Sequence, residues 1–189
     1  VEKIRNEGKN KPYDCIIGVS GGVDSTFVAY KVKELGLRPL AVHLDNGWDS
    51  ELAVKNIEQT LKLLGIDLYT QVLDWEEFKD LQVAFLRAST PDSEIPTDHA
   101  IWALIGGMAE KIGVRYIISG LNIRTESHLP RTWSQGHYDW KYIQTVQKRY
   151  GRTPLKSFPH QDMFTIYRRR LTQRRVDLLN YLDFRKDSA

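Results

Sequence analysis

The stretch Ser20-Gly21-Gly22-Val23-Asp24-Ser25 decides the fold of this 189-residue chain. It follows the apolar run 13–19, which predicts a strand, and it opens a helical pattern. A strand that ends in a glycine turn and starts a helix gathers backbone N–H groups at the positive end of the helix dipole, which suits an anion such as phosphate. Gly21 and Gly22 let the backbone approach that anion closely, and Ser20 and Ser25 add hydroxyl groups.

The loop differs from the Walker phosphate loop because no lysine closes it. It carries Asp24 instead. An acid beside a bound phosphate repels it unless a cation such as Mg²⁺ lies between the two, so Asp24 predicts a phosphate bridged by a metal ion. The alternative role of Asp24 is to cap the helix, in which case the segment is an ordinary strand–turn–helix.

Apolar patterns predict strands and helices that alternate along the chain. This alternation indicates an α/β fold with a parallel sheet, flanking helices and right-handed crossovers. Ligands of such folds gather at the carboxyl ends of the strands. The predicted strands are 13–19, 38–44, 67–73 and 114–119, and the predicted helices are 23–35, 57–64, 75–86, 101–112, 139–150 and 162–181.

Composition places the chain among globular domains. Its residues are 41% hydrophobic and 27% charged, which is ordinary for one domain. No apolar run approaches the roughly 20 residues of a membrane helix, and the polar start is not a signal peptide, so we expect a cytoplasmic protein. We assign 1–126 to the nucleotide-binding core and 127–189 to a substrate loop and C-terminal helical segment of the same domain. The abrupt ends suggest a piece of a longer protein.

The single cysteine and the distribution of arginines exclude an internal disulfide and argue against nucleic-acid binding. The single cysteine, Cys15, excludes an internal disulfide, and we expect it to pack in the first strand. The net charge is only +3, and much of the positive charge falls in 168–175. Helical spacing within this run favours a solvated helix face over a polyanion site, so nucleic-acid binding is not expected.

Polar residues follow the second predicted strand. Backbone groups of Val42, His43 and Leu44 are placed to contact an adenine ring, and Asp45 to reach a ribose hydroxyl or a metal ion. The alternative is a polar turn, since Asn46-Gly47 tolerates positive φ. His43 itself is expected to be structural rather than catalytic.

Three further segments carry candidate ligands. Thr97 and Asp98 either cap the strong helix or hold a substrate hydroxyl or metal ion. Glu126 follows the fourth strand and is either a metal ligand or an acid at the start of a helix. Arg131 and Trp133 suit phosphate binding and stacking on a sugar, unless the loop packs around a buried Trp133.

The glycine loop resembles the S-G-G-x-D-S signature of the N-type ATP pyrophosphatases. This resemblance implies an adenine nucleotide α-hydrolase-like three-layer fold in which loop residues, Val23 included, bind the β- and γ-phosphates of ATP. It also implies cleavage of ATP to AMP and pyrophosphate, with Mg²⁺. The segment Ser119-Gly120-Leu121-Asn122-Ile123-Arg124-Thr125-Glu126 resembles the G-T-N-x-x-T/S-E pattern of ammonia-using members such as NAD synthetase. There Gly120 would adjoin ATP and Glu126 would bind magnesium, while Leu121 replaces the usual Thr.

Longer segments resemble the N-acetyl sugar amidotransferases of lipopolysaccharide O-antigen biosynthesis. They are 45–53, 89–100, 130–136 and 139–143, within a resemblance that spans about 11–181. The resemblance implies that ATP activates the acetamido oxygen of a nucleotide sugar and that ammonia then displaces AMP, which yields an acetamidino sugar. The ammonia would come from a separate glutaminase through a cyclase-like channel protein. The family also has a cysteine-rich N-terminal segment and a longer C-terminal region.

On this basis we assign catalytic roles to Asp24, Asp98, Arg131 and Lys141, of which Arg131 and Lys141 would stabilise departing phosphate oxygens. No nucleophilic side chain is needed, because the chemistry rests on positioning and charge neutralisation. The alternatives are another ATP pyrophosphatase (similar to NAD or GMP synthetase, or tRNA-modifying) and a nucleotide-binding subunit without turnover. No membrane partner is expected, and a homo-oligomer is left open.

Overall fold

Five parallel strands form one sheet, in the order β3-β2-β1-β4-β5, in the computed structural model, which describes residues 1–121 and 136–182. Every neighbouring pair is parallel, and helices flank the sheet, so the predicted α/β class is confirmed. The strands are β1 (Cys15–Gly18), β2 (Pro39–Asp45), β3 (Asp67–Val72), β4 (Tyr116–Ser119) and β5 (Arg174–Asp177).

Four of the described helices begin at a residue whose side chain accepts a hydrogen bond from the first turn. Ser50, Asp74, Asp139 and Asp162 each accept a hydrogen bond from the backbone N–H three residues further on. None of the described helices is long and apolar enough to cross a membrane. The helices are α1 (Glu2–Gly8), α2 (Val23–Glu34), α3 (Glu51–Leu64), α4 (Trp75–Arg87), α5 (Ile95–Lys111), α6 (Trp140–Tyr150) and α7 (Met163–Thr172), followed by the 3₁₀-helix Leu178–Tyr181.

The two faces of the sheet pack against different helices because side chains alternate along each strand. Cys15 and Ile17 of β1 belong to a buried cluster with α2 and α3. Ile16, between them, belongs to a second cluster with Ile105 and Met108 of α5. Burial raises the pKa of the Cys15 thiol to about 12, with a smaller contribution from Asp14, so this cysteine is an inert core residue as predicted.

Two carboxylates of α4 hold the segment that follows α6. Asp80 accepts hydrogen bonds from the backbone N–H groups of Arg152 and Thr153 (2.6 and 2.7 Å), and Glu77 accepts from that of Ser157 (3.0 Å). Burial by itself raises the pKa of Asp80, but these hydrogen bonds outweigh it and the pKa lies below its usual range. The C-terminal part of the chain is therefore fastened to the core by polar contacts as well as by apolar packing.

The predicted single helix over 162–181 is wrong. Helix α7 ends at Thr172, and Arg174–Asp177 instead pairs with β4 as the edge strand β5. A segment of four residues is too short to show the alternating apolar pattern of a strand. It forms a strand because β4 has an open edge with which its backbone can pair. The side chain of Arg175 consequently lies on the sheet, where its guanidinium packs over the ring of Trp102 at 4.3 Å.

His99 of α5 links the core to the C-terminal half through its buried imidazole. Its Nε2 accepts a hydrogen bond from the backbone N–H of Gln161 (3.1 Å), so the ring proton is on Nδ1, which donates to the carbonyl oxygen of His137 (2.8 Å). Burial lowers the pKa of His99, because the charged imidazolium would lose its solvation by water. The imidazole is thus a neutral structural bridge.

We expect His99→Ala to lower the free energy of unfolding by about 2–4 kcal/mol, since it leaves a cavity and two unpaired backbone groups. Stability should also fall on acidification below about pH 6.5 in the wild type, because the unfolded imidazole takes up a proton that the folded one does not. Urea denaturation between pH 5 and 8 measures both effects. His160→Ala is the control, since His160 is exposed, stacks on Trp140 and hydrogen-bonds with the nearby carbonyl oxygen of Phe158 (3.0 Å). An unchanged pH slope in His99→Ala would contradict this role.

Candidate active site

The loop between β1 and α2 has the geometry that its glycines predict. Gly21 has a φ of 74°, a value in the left-handed region that favours glycine. Ser25 fixes the shape of the loop: its Oγ donates to the carbonyl oxygen of Gly22 (3.0 Å) and accepts from the backbone N–H of Ser20 (3.2 Å). The loop therefore folds back on the first turn of α2 and is held there by one hydroxyl group.

The N-terminus of α2 differs from those of α3, α4, α6 and α7. Those four helices are capped by a Ser or Asp side chain, whereas the N-cap of α2 is Gly22, which has no side chain to donate or accept. The first N–H groups of α2 thus donate no hydrogen bond to a side chain of their own N-cap. This end of the helix combines a positive dipole with N–H groups that are not capped by an N-cap side chain, which suits an anionic ligand.

The loop opens into a cleft of about 440 Å³ at the carboxyl end of the sheet. The chain leaves β1 toward β2 on one side and returns as β4 on the other, so the cleft lies at the topological switch point where such folds bind ligands. Gly120 packs against the first turn of α2, since a Cβ on it would lie at contact distance, 3.4 Å, from the carbonyl oxygen of Asp24. The sequence-predicted residues that line the cleft are Ser20, Asp24, Ser25, Val42, His43, Leu44, Thr97, Asp98 and Gly120.

Gly21, Gly22 and Val23 belong to the same loop but do not line this cleft. A Cβ on Gly21 would lie 2.5 Å from the carbonyl oxygen of Ala53, so this glycine is required by the contact between the loop and α3. Gly22 and Val23 are exposed at the start of α2. Gly21 and Gly22 have only backbone atoms to offer a ligand, and the ligand contacts of all three residues stay a prediction.

His43 supports the floor of the cleft. Its Nδ1 lies 2.9 Å from the carbonyl oxygen of Val19, and its Nε2 lies 3.4 Å from a carboxylate oxygen of Asp49. The imidazole is buried between β2 and the end of β1. These contacts agree with the predicted structural role of His43.

Thr97 and Asp98 lie inside α5 rather than at its cap. The helix begins at Ile95, six residues before the predicted start, because Pro96 favours the first turn of a helix. The alternative that either residue caps the helix is excluded, because the N-cap is Glu94, and both residues line the cleft from a regular first turn.

His137 is a candidate residue that the sequence analysis did not single out. Its Nε2 lies 3.1 Å from a carboxylate oxygen of Asp92 and 3.4 Å from one of Asp98. Its backbone is held by His99, as described above. No local pattern could indicate this arrangement, because most of α5 and all of β4 lie between both acids and His137 in the sequence.

The charge of the cleft is negative over the residues that the structure describes. Asp24, Asp49 and Asp98 line it, and no Lys or Arg of the described ranges does. A polyphosphate could not lie among these acids without a cation. The described residues contain no group of three or more metal-binding side chains. Hard carboxylate oxygens nevertheless suit Mg²⁺, which commonly binds proteins through one or two carboxylates and takes its other ligands from phosphate and water.

Other predicted residues lie elsewhere. The carboxylate of Asp45 accepts a hydrogen bond from the backbone N–H of Gly47 (2.9 Å), so it forms the polar turn and does not line the cleft. Lys141 is exposed in the first turn of α6, also away from the lining. Glu126, Arg131 and Trp133 lie outside the described residues.

Comparison with known proteins gives local sequence matches. No protein-family model matches the chain. It is 38% identical over 71 residues to a tRNA(Ile)-lysidine synthase of Chlamydia pneumoniae, a segment covering 35% of this chain and 22% of that protein. It is 44% identical over 69 residues to a glutamine-hydrolysing GMP synthase of Pyrobaculum aerophilum, covering 36% of this chain and 13% of that protein. The chain thus matches less than a quarter of the length of either relative.

Two solved structures share the fold. The NH₃-dependent NAD synthetase of Campylobacter jejuni superposes with a TM-score of 0.50 at 14% identity, over 78% of this chain and 69% of that one. The glutamine-dependent NAD⁺ synthetase of Acinetobacter baumannii, solved with ADP, gives a TM-score of 0.51 at 19% identity, over 87% of this chain and 34% of that one.

The local sequence matches and the shared fold together support the PP-loop ATP pyrophosphatase superfamily. This is the class that the loop at Ser20–Ser25 predicts. The comparisons do not single out the N-acetyl sugar amidotransferases within that superfamily.

Proposed function

We propose that this chain binds ATP with Mg²⁺ in the cleft beside β1 and cleaves it to AMP and pyrophosphate in order to adenylate an acceptor oxygen. One observation carries the proposal: the S-G-G-x-D-S loop joins a helix without a side-chain cap to a cleft at the switch point of a parallel sheet. The similarity to a tRNA(Ile)-lysidine synthase and a GMP synthase, and the fold shared with NAD synthetases, support it.

The cleft is suited to hold the nucleotide by its backbone and its acids. The N-terminus of α2 would bind phosphate oxygens, and Asp24 would be a ligand of the magnesium ion, which neutralises phosphate charge when bound. Val42, His43 and Leu44, at the neighbouring strand end, line the side of the cleft where we place the adenosine. Thr97 and Asp98 face this region from α5 and would position the acceptor.

For the acceptor, we propose the acetamido group of a nucleotide sugar. The support is the resemblance of 45–53, 89–100, 130–136 and 139–143 to the N-acetyl sugar amidotransferases, whereas the comparisons favour the alternatives within the superfamily more directly. The amide oxygen would attack the α-phosphorus of ATP and pyrophosphate would leave. Ammonia would then attack the amide carbon, AMP would leave with the oxygen, and loss of a proton would give the amidine. A glutaminase and a channel subunit would supply the ammonia.

The nucleotide products test the activity. We expect AMP and pyrophosphate to appear only when ATP, Mg²⁺, ammonium and the correct acceptor are all present. N-acetylated nucleotide sugars should be assayed beside tRNA and the acceptors of GMP and NAD synthesis, with mass spectrometry of the acceptor. Replacement of O by NH in a sugar identifies the amidine. Release of ADP and orthophosphate would refute adenylation, and modification of another acceptor would refute only the sugar assignment.

A further inference from the structure

A second cleft, of about 390 Å³, lies beside the first and has the opposite charge. It lies on the α5 side of β4 and β5, and Trp102 and Ile117 line both clefts. We call it the arginine cleft, because four of its lining residues are Arg169, Arg170, Arg174 and Arg175; among the described residues no Asp or Glu lines it.

Two of these arginines are fixed by protein contacts. Arg169 donates to a carboxylate oxygen of Glu110 (3.0 Å) and to the side-chain oxygen of Gln161 (2.8 Å). It lies across Gly106, where a Cβ would come within 2.9 Å of its guanidinium nitrogen. Glycine within a helix costs stability, and here it makes room for this side chain. Arg175 donates to Asp177 (2.6 Å) and stacks on Trp102.

The other two arginines have no such partners within the part of the chain that the structure describes. The side chains of Arg170 and Arg174 are exposed, and neither makes an ion pair or a hydrogen bond with a residue in the ranges 1–121 and 136–182. They approach the cleft from different elements, the last turn of α7 and the start of β5. Their donors are thus free to meet an anion, whereas those of Arg169 and Arg175 are partly used by Glu110 and Asp177.

We propose that the arginine cleft binds the diphosphate group of the acceptor substrate, an inference that rests on the proposed function. The first cleft is lined by acids and takes a nucleotide that carries its own metal ion. The second needs no metal, because guanidinium groups bind phosphate oxygens directly and often in pairs. The shared wall at Trp102 would let the acceptor extend from the arginine cleft to the ATP cleft, so that its reacting oxygen meets the α-phosphate.

The shape favours a small ligand over RNA. The arginines converge on a recess of a few hundred cubic ångströms, the size of a small-molecule site, instead of forming a stripe along the surface. An RNA would be expected to contact a more extended basic surface, with a steep salt dependence.

The test uses UDP as the diphosphate probe, uridine as the probe without phosphate, and AMP-PNP with Mg²⁺ as the ATP analogue. Calorimetry should show UDP binding to the full chain already saturated with AMP-PNP, and no uridine binding. The double variant Arg170→Ala/Arg174→Ala should weaken UDP at least tenfold and leave AMP-PNP affinity within twofold. The matched control is Lys148→Ala/Arg149→Ala, which removes two exposed charges at the end of α6 and should change neither affinity.

Other results separate the proposals. Absence of UDP binding, or equal UDP affinity in the arginine variant, would overturn the diphosphate site. Loss of tRNA binding in that variant without UDP binding to the wild type would also overturn it, in favour of a nucleic-acid surface. Failure of AMP-PNP to bind while UDP binding depends on Arg170 and Arg174 would refute the ATP cleft and support the arginine cleft as an anion site.

Discussion

Replacing Asp24 by asparagine is expected to reduce acceptor-dependent pyrophosphate release by on the order of a hundredfold to a thousandfold. The amide keeps the size of the side chain but removes the charge that would hold Mg²⁺ against the phosphates. Because Asp24 lies in the first turn of α2, the variant also loses a favourable interaction with the helix dipole, worth about 0.3–1 kcal/mol. That loss is too small to unfold the protein, so the activity and stability effects can be separated.

Glu51→Gln is the matched control. Glu51 is the corresponding first-turn acid of α3, is exposed and does not line the cleft, so its variant should lose similar stability without losing turnover. Pyrophosphate release at several magnesium concentrations, with thermal denaturation in parallel, measures both properties. Activity of Asp24→Asn equal to that of Glu51→Gln would remove Asp24 from the reaction.

The central strands and the loop could be predicted because their signals are local. The apolar run before Ser20 is long enough to identify a buried strand, and glycine marks the positive φ at Gly21. The predicted ends of the central strands are right to within two or three residues, and the switch point follows once the strands are known to be parallel. Much of the cleft therefore follows from the sequence.

Contacts that depend on the assembled sheet could not be predicted in this way. The sequence pattern predicts that Arg174–Asp177 is part of a basic helix. The segment is a strand only because β4 has an open edge with which it pairs. The pairing of this segment with β4 places the Arg175 side chain over Trp102 and forms the arginine cleft beside the cleft at the carboxyl end of the sheet. His137 likewise gains its acidic neighbours only after α5 and the start of α6 pack together.

Replacing Gly21 or Gly22 by alanine is expected to have different effects on thermal stability and on AMP-PNP affinity. At Gly21 the left-handed backbone costs a non-glycine residue about 1–2 kcal/mol, and overpacking against neighbouring backbone adds about 1–3 kcal/mol. The Cβ would lie 2.5 Å from the carbonyl oxygen and 2.8 Å from the Cα of Ala53, so the loop or the first turn of α3 must move. Gly21→Ala should therefore lose both thermal stability and AMP-PNP affinity, the latter at least tenfold.

Gly22→Ala distinguishes a phosphate cradle from a purely structural turn. Gly22 has a φ of −81°, and the nearest atom to its Cβ position is the Oγ of Ser20 at 3.6 Å, so the free protein accommodates the methyl group. The cost of Ala at this N-cap is below about 1 kcal/mol. If phosphate oxygens approach the backbone of Gly22, this variant should keep its melting temperature within a few degrees and still lose AMP-PNP affinity. Wild-type affinity in Gly22→Ala would mean that the loop serves only to turn the chain against Ala53.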